Sequence, residues 1–357
     1  MTLAVNLAQG ASNNVTFRNR IINGAMVISQ RGTSFVSPTS AYTIDRWEME
    51  ENTDGAVTVT QDTDAPTGFS FSQKFTVTSA DASLAATQDL IVGQYIEGFN
   101  TADLVFGSAS AATVTLSFWV KSSLTGTFGG ALQNSARTRS YPFTYTISSA
   151  STWEQKTVTI AGDTSGTWIG ATNGIGLRVY FGLGVGSTYS GTAGAWAATN
   201  YYSATGAVSV IGTNAATWQV TGVQLEAGTT ASPFEYRQYG TELGLCQRYC
   251  YKIATSGGYS AYATTGMFIS TTRVDFPILL PTYMRASPTA TYTAANTYLP
   301  SSAGTDFTPS AVATAGGSAS PQAITVSFTV SGATAGRAAT LTDLNTTSSN
   351  MIFSAEL

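Results

Sequence analysis

Short runs of alternating apolar and polar residues recur along most of this chain, with Gly, Asn, Asp and Ser between them. Val57-Thr58-Val59-Thr60 alternates, as does Phe69-Ser70-Phe71-Ser72-Gln73-Lys74-Phe75-Thr76-Val77. In residues 113–121, Val114, Leu116, Phe118 and Val120 fall on one face, and residues 153–160 and 176–181 continue the series. Side chains on a strand change face with a period of two, and β-branched and aromatic residues fit a pleated surface. Trp47, Trp119 and Trp153 lie on such patterns and are expected in the core. One segment departs from this: Leu84, Gln88 and Ile91 are helically spaced and predict a helical turn within residues 83–92. Further on, Trp218, Val220, Gly222 and Val223 oppose Gln219, Thr221 and Gln224, which predicts a half-buried final strand closing a sheet. Pro233 pushes Ser232 to extended geometry and marks a sharp exit from the domain. Many short strands without a βαβ rhythm predict an all-β fold, a jelly-roll β-sandwich over residues 21–236.

On either side the pattern changes. Residues 1–20 are polar and weakly periodic and read as an extended N-terminal attachment arm. Glu242, Leu243, Leu245 and Cys246 suit a short helix in a linker spanning 237–249. Alternation then resumes at Met267-Phe268-Ile269-Ser270, Arg273-Val274-Asp275-Phe276 and 323–330, and residues 350–357 end the chain as a strand. This predicts a smaller β-sandwich head domain over 250–357, with mobile Ala/Ser/Thr/Gly-rich loops at 301–320.

Composition narrows the chemistry. Only 10% of the 357 residues are charged, against about a quarter in ordinary soluble domains, and the net charge is −4. A phosphate backbone wants a basic face, so no nucleic-acid partner is expected. No run of eighteen apolar residues predicts a membrane-spanning helix, and the opening residues do not read as a signal peptide. Histidine is absent. That excludes a Ser-His-Asp triad, a histidine base and imidazole metal ligands. Cys246 and Cys250 are too few for a zinc site and poorly spaced for a disulfide; they read as small buried hydrophobes. No metal or other cofactor is expected. Asp54, Asp62 and Asp64 could offer oxygen ligands to calcium, but their spacing fits surface turns better. Asn345-Thr346-Thr347 fits a glycosylation sequon, and no weight is placed on it.

Several blocks resemble bacteriophage tail-fibre and receptor-binding proteins, and they occur in order. They begin with Asn19-Arg20-Ile21-Ile22-Asn23-Gly24, Gln30-Arg31-Gly32 and Asp45-Arg46-Trp47. Phe118-Trp119-Val120-Lys121, Gly162-Asp163-Thr164-Ser165-Gly166-Thr167-Trp168 and Gln224-Leu225-Glu226 follow, with Ser232-Pro233-Phe234-Glu235-Tyr236-Arg237 after them. Leu245-Cys246-Gln247-Arg248-Tyr249 is the next match, and Met284-Arg285-Ala286-Ser287-Pro288 resembles the distal head. Cys250 stands where an aromatic residue is expected. The resemblance implies a non-enzymatic virion component, a homotrimer with a carbohydrate-binding-like jelly roll. It implies attachment to tail or capsid proteins through the N-terminal arm, and host glycan or outer-membrane protein as receptor. Symmetric association would also bury the edges and apolar surface of such charge-poor β units.

Sugar-binding sandwiches offer flat rings to the apolar face of a pyranose, with amides and carboxylates reading its hydroxyls. Trp196, Tyr201 and Tyr202 lie in the loop-like segment 191–205, and Tyr259 and Tyr262 flank Ser260-Ala261 beside Gly257-Gly258. These five are the candidate ligand-binding residues; the plainer alternative is that they cap the sandwich or fill a trimer contact. Glu48, Glu50 and Glu51 read as a solvated face, and Asp45 beside Arg46 as a strand-edge ion pair rather than catalytic groups. No pair of carboxylates suggests itself for glycoside chemistry. Three readings follow: a tail fibre that recognises the host surface, a capsid-attached head fibre or decoration protein, and a polysaccharide-degrading tailspike-like enzyme. The first is preferred.

Overall fold

The computed structural model describes residues 17–345 and 347–357. The chain forms two compact units, the first running to Tyr239 with Leu357 and the second comprising Gly240–Glu356. Most of the expected 1–20 arm, and the sequon residue Thr346, lie outside the described residues.

In the first unit two six-stranded antiparallel sheets face each other. One has the order β1 (Ser34–Val36), β4 (Ala56–Asp62), β5 (Ser72–Ser79), β14 (Thr217–Ala227), β7 (Val114–Ser122) and β10 (Glu154–Ile160). The other has the order β2 (Ala41–Tyr42), β3 (Glu48–Asn52), β6 (Asp89–Glu97), β11 (Ile175–Val185), β8 (Gly126–Gln133) and β9 (Ser140–Ile147). Neighbours far apart in sequence, such as β5 with β14 and β6 with β11, give the jelly-roll winding expected for this region. The alternation in β7 places Val114, Leu116, Phe118 and Val120 in the core between the sheets, beside Trp47, Phe75, Phe181 and Trp218.

Several expectations need correction. Strand β14 does not close an edge: it lies between β5 and β7 and is buried on both faces. Gly222, at φ +61°, sits in a register shift between Thr221 and Gln224, and this bulge lets Val223 and Leu225 resume the inward face begun by Trp218 and Val220. The predicted helical turn is half strand, since residues 89–92 open β6 and pair with both β3 and β11. Trp119 and Trp153 are only half-buried; the Trp153 indole N–H donates to Asp64 at 3.1 Å. Asp45 and Arg46 are fully buried at a turn rather than paired at an edge. Asp45 accepts from Gln30 and lies 3.8 Å from Arg31.

The second unit opens with α1 (Tyr239–Gln247), a helix where one was expected. A three-stranded sheet follows the order β15 (Cys250–Ala254), β24 (Asn350–Ser354) and β18 (Thr289–Tyr292). The second sheet runs β20 (Thr305–Asp306), β19 (Tyr298–Ser302), β23 (Ala338–Asp343), β16 (Ala261–Ser270), β17 (Arg273–Leu279), β22 (Ala323–Thr329) and β21 (Ala311–Ala319). Phe268, Phe276, Tyr298, Phe328 and Phe353 fill the core of this smaller β-sandwich. Part of the segment expected to be a mobile loop is strand β21, paired with β22. Cys246 and Cys250 are buried thiols.

Candidate functional site

The sequence blocks near the two ends of the first unit meet and lock each other. Asn19 is buried; its Nδ2 donates to the Val223 carbonyl at 3.1 Å, and its Oδ1 accepts from the Ile21 and Leu225 amides at 3.0 and 3.1 Å. Glu235 accepts from the amides of Phe17 and Asn19 at 2.7 and 3.0 Å, and Arg237 donates to the Ile21 carbonyl at 3.1 Å. Gln224 and Glu226 hold Ser232, so the chain folds back after Pro233 instead of leaving the domain. Asn23 similarly ties Ile28, Asp45 and Trp47 together. These motifs therefore build the fold. Beside them a cleft of about 830 Å³ is lined by Arg18, Arg20, Asp103, Glu226 and Phe17. Arg20 pairs there with Asp103 at 2.5 Å and Arg18 with Glu226 at 3.9 Å, so its charges answer one another, and Phe17 supplies its one ring.

A second cluster lies on the outward face of the sheet containing β6 and β11. Arg137 donates to both oxygens of Glu50 at 2.8 and 2.7 Å and to the Tyr202 hydroxyl at 2.7 Å. The hydroxyls of Tyr95 and Tyr180 also donate to Glu50, the latter at 2.8 Å. The segment 186–216, with its short parallel pair β12 (Ser190–Gly191) and β13 (Ser203–Ala204), covers this face: Ser203 packs where Gly129 and Gly182 leave no room for a Cβ, and Tyr180 and Tyr202 are 1% and 5% exposed. Glu50 is thus part of a closed network rather than the solvated face expected of it. Burial pushes its carboxyl up, but Arg137 and the two tyrosine hydroxyls outweigh burial and hold it below its usual value. Asp89, on the adjacent strand, is pushed up to about 7, first by burial and then by the Glu50 charge. Carboxyls driven apart in this way are the signature of acid–base pairs. Here, however, Asp89 is only 7% exposed, and Glu50 is engaged by Arg137, Tyr95 and Tyr180.

A third cluster, at the loops, leaves its rings half-buried beside an open cleft. Phe106 and Trp168 meet edge to face at 4.8 Å, and Trp196 stands against them at 5.9 and 5.5 Å, with Tyr141 behind at 5.3 Å. The Trp168 loop is anchored by Asp163, which receives two bonds of 2.7 Å from Arg139 and one of 3.1 Å from the Ser165 amide. The Gly107 amide donates to the Asp163 carbonyl at 2.7 Å and ties in the Phe106 loop. Between the loops lies a cleft of about 160 Å³ lined by Leu104, Val105, Phe106, Trp168, Ile169 and Leu177. Exposed Phe99 lies nearby in sequence, and Val105 holds φ +53°, a left-handed conformation unusual for a β-branched residue. Such outliers concentrate at functional sites.

The five residues singled out from sequence do not form one site. Trp196 joins the third cluster, but as support: its ring is wedged among three others and its indole N–H donates to the Ala161 carbonyl at 2.7 Å. Tyr201 packs over Gly191, and Tyr202 belongs to the closed network. In the second unit Tyr259 is exposed at φ +60°, whereas Tyr262 is 4% exposed on β16 with its hydroxyl 2.6 Å from Ser349. Burial removes Tyr262 as a platform for a ligand. Trp168 and Phe106 were missed; the glycine-flanked tryptophan ending Gly162–Trp168 was the available signal. Among the described residues no group of three or more carboxylates and thiols could hold a metal ion. Asp62 and Asp64 pair instead with Lys74 and Lys121.

No protein-family profile and no curated protein matches this chain. Among solved structures it is similar to the enzymatically active domain of tailspike protein 4 from bacteriophage CBA120, at 11% identity and a TM-score of 0.32, over 59% of this chain and 22% of that one. It is also similar to a family 11 carbohydrate-binding module from Clostridium thermocellum in complex with a β-1,3-1,4-mixed-linked tetrasaccharide, at 11% identity and a TM-score of 0.27, covering 56% and 98%. The N-terminal cellulose-binding domain of a Cellulomonas fimi β-1,4-glucanase overlaps at 17% identity and a TM-score of 0.24, covering 52% and 90%. At these scores the overlap is too slight to transfer a ligand or an activity.

Proposed function

We propose that this chain is a non-enzymatic bacteriophage virion fibre protein whose first domain binds a host-surface glycan beside Trp168 and Phe106. The observation that carries the glycan reading is the loop cluster, where two half-buried rings line an open cleft on a rigidly anchored loop. A pyranose presents C–H groups on its faces and hydroxyls at its rim, so it packs on such a ring without losing its hydration elsewhere. The phage context is supported by the ordered sequence blocks. A homotrimer carried by the N-terminal arm, on tail or capsid, would turn weak single sites into avidity. Binding of the full chain to an array of bacterial surface glycans, set against Trp168→Ala, tests the binding reading; no binding to any glycan would remove it. Immunogold labelling of virions with antibody to residues 246–357 tests the rest. Label at the tips of tail appendages supports a tail fibre, label over the capsid a head fibre, and absence of label refutes virion membership. The second reading, a polysaccharide-degrading enzyme, would need substrate to reach Glu50 and Asp89, which the fold keeps engaged and buried. Release of sugar ends from host polysaccharide, lost in Asp89→Asn, would establish it.

A further inference from the structure

The cleft beside Trp168 is bounded by side chains that ask for a particular kind of sugar. The side chains of Ala102, Leu104, Phe106, Ile169 and Leu177 are hydrocarbon, and none of its lining residues is charged. The polar side-chain groups of the lining already have partners: the Trp168 indole N–H donates to the Ser165 carbonyl at 3.1 Å and the Thr101 hydroxyl to the Gly98 carbonyl at 3.4 Å. The amides of Leu104 and Val105 are likewise engaged, by the carbonyls of Thr101 and Ala102. A hydroxyl set against these side chains would give up water for carbon, whereas a methyl group would gain contact. The volume, about 160 Å³, matches roughly five waters at ~30 Å³ each, room for a substituent and part of one ring.

We infer that the cleft seats a methyl-bearing sugar, through either the C6 methyl of a 6-deoxyhexose or the acetamido methyl of an N-acetylhexosamine. This rests on the glycan reading above. The substituent enters between Leu104, Ile169 and Leu177, and the ring lies on Trp168 and Phe106 with its hydroxyls toward water. None of the residues lining the cleft is charged, so the preference is for neutral sugars.

Calorimetric titration of the full chain with matched methyl glycosides tests this. The pairs are 6-deoxy-L-mannoside against L-mannoside, and N-acetylglucosaminide against N-formylglucosaminide. The methyl-bearing member of one pair binds about tenfold more tightly, the low end of what one buried carbon provides, and the responding pair identifies which methyl is read. Ala102→Leu, which fills the cleft without removing an aromatic ring, abolishes the preference; it serves should Trp168→Ala fail to fold. Equal or tighter binding of the partners that lack the methyl, lost in Trp168→Ala, overturns the inference and leaves the glycan reading standing. Absence of binding by all four sugars and by the glycan array removes both.

Discussion

Asn19→Ala is the sharpest test of how the first domain holds together. Truncation removes one donor and one doubly used acceptor, leaving the Val223 carbonyl and the Ile21 and Leu225 amides without their partner. Asn19 is 4% exposed, so water does not reach these groups without local opening. A buried polar group left unpaired costs about 1–3 kcal/mol. With three affected and some relaxation of segment 19–24, the expected loss is about 3–5 kcal/mol. In a domain of this size that lowers the melting temperature by about 10 °C. All six tryptophans precede residue 239, so intrinsic fluorescence during guanidinium unfolding reports the first unit by itself. A midpoint shift equivalent to less than about 1 kcal/mol would refute the argument that Asn19 clasps the entry segment to β14.

Asp89→Asn probes the buried carboxyl. Its proton is held up to about 7 in the fold, against about 3.9 in the unfolded chain, so the fold binds the proton more tightly. That stabilisation is complete below about pH 4 and is lost as pH rises through 7. The full difference approaches ~4 kcal/mol at about 1.4 kcal/mol per pH unit, and screening and relaxation around the carboxyl reduce it to about 2 kcal/mol. The wild-type chain therefore loses about this much stability between pH 5 and 8 beyond what Asp89→Asn loses; parallel pH profiles would reject it. Val105→Asn, at an exposed left-handed position, raises stability by about 1 kcal/mol, because Asn tolerates that backbone and Val does not; thermal melts that show a loss would contradict the strain.

The alternation in β7 was legible because a period of two is a local property, and its four inward residues need only a sheet to face. Strand β14 shows where such reading stops. Its residues were correctly seen as a strand, but the bulge at Gly222 and its seat between β5 and β7 come from pairing with residues some 100 and 150 positions away. The same limit explains Trp119, Trp153 and Glu50. Alternation assigns a side chain to a face, while burial of that face depends on what packs over it, here Arg137, Tyr95 and Tyr180 in the case of Glu50. The aromatic site was half legible: Trp196 stood out in a glycine-rich loop, but Phe106, Trp168 and Tyr141 come from three other segments that only the fold brings together.

The chain by itself thus determined an all-β architecture, two β units with a helix between their strands, and a chemistry without histidine. These follow from composition and from short-range periodicity, which each residue carries wherever it lies. The tertiary structure decided which motifs are clasps, which carboxylate is held by an arginine and two tyrosines, and which rings meet at a cleft. Those outcomes depend on contacts between distant segments, whose partners no local pattern names.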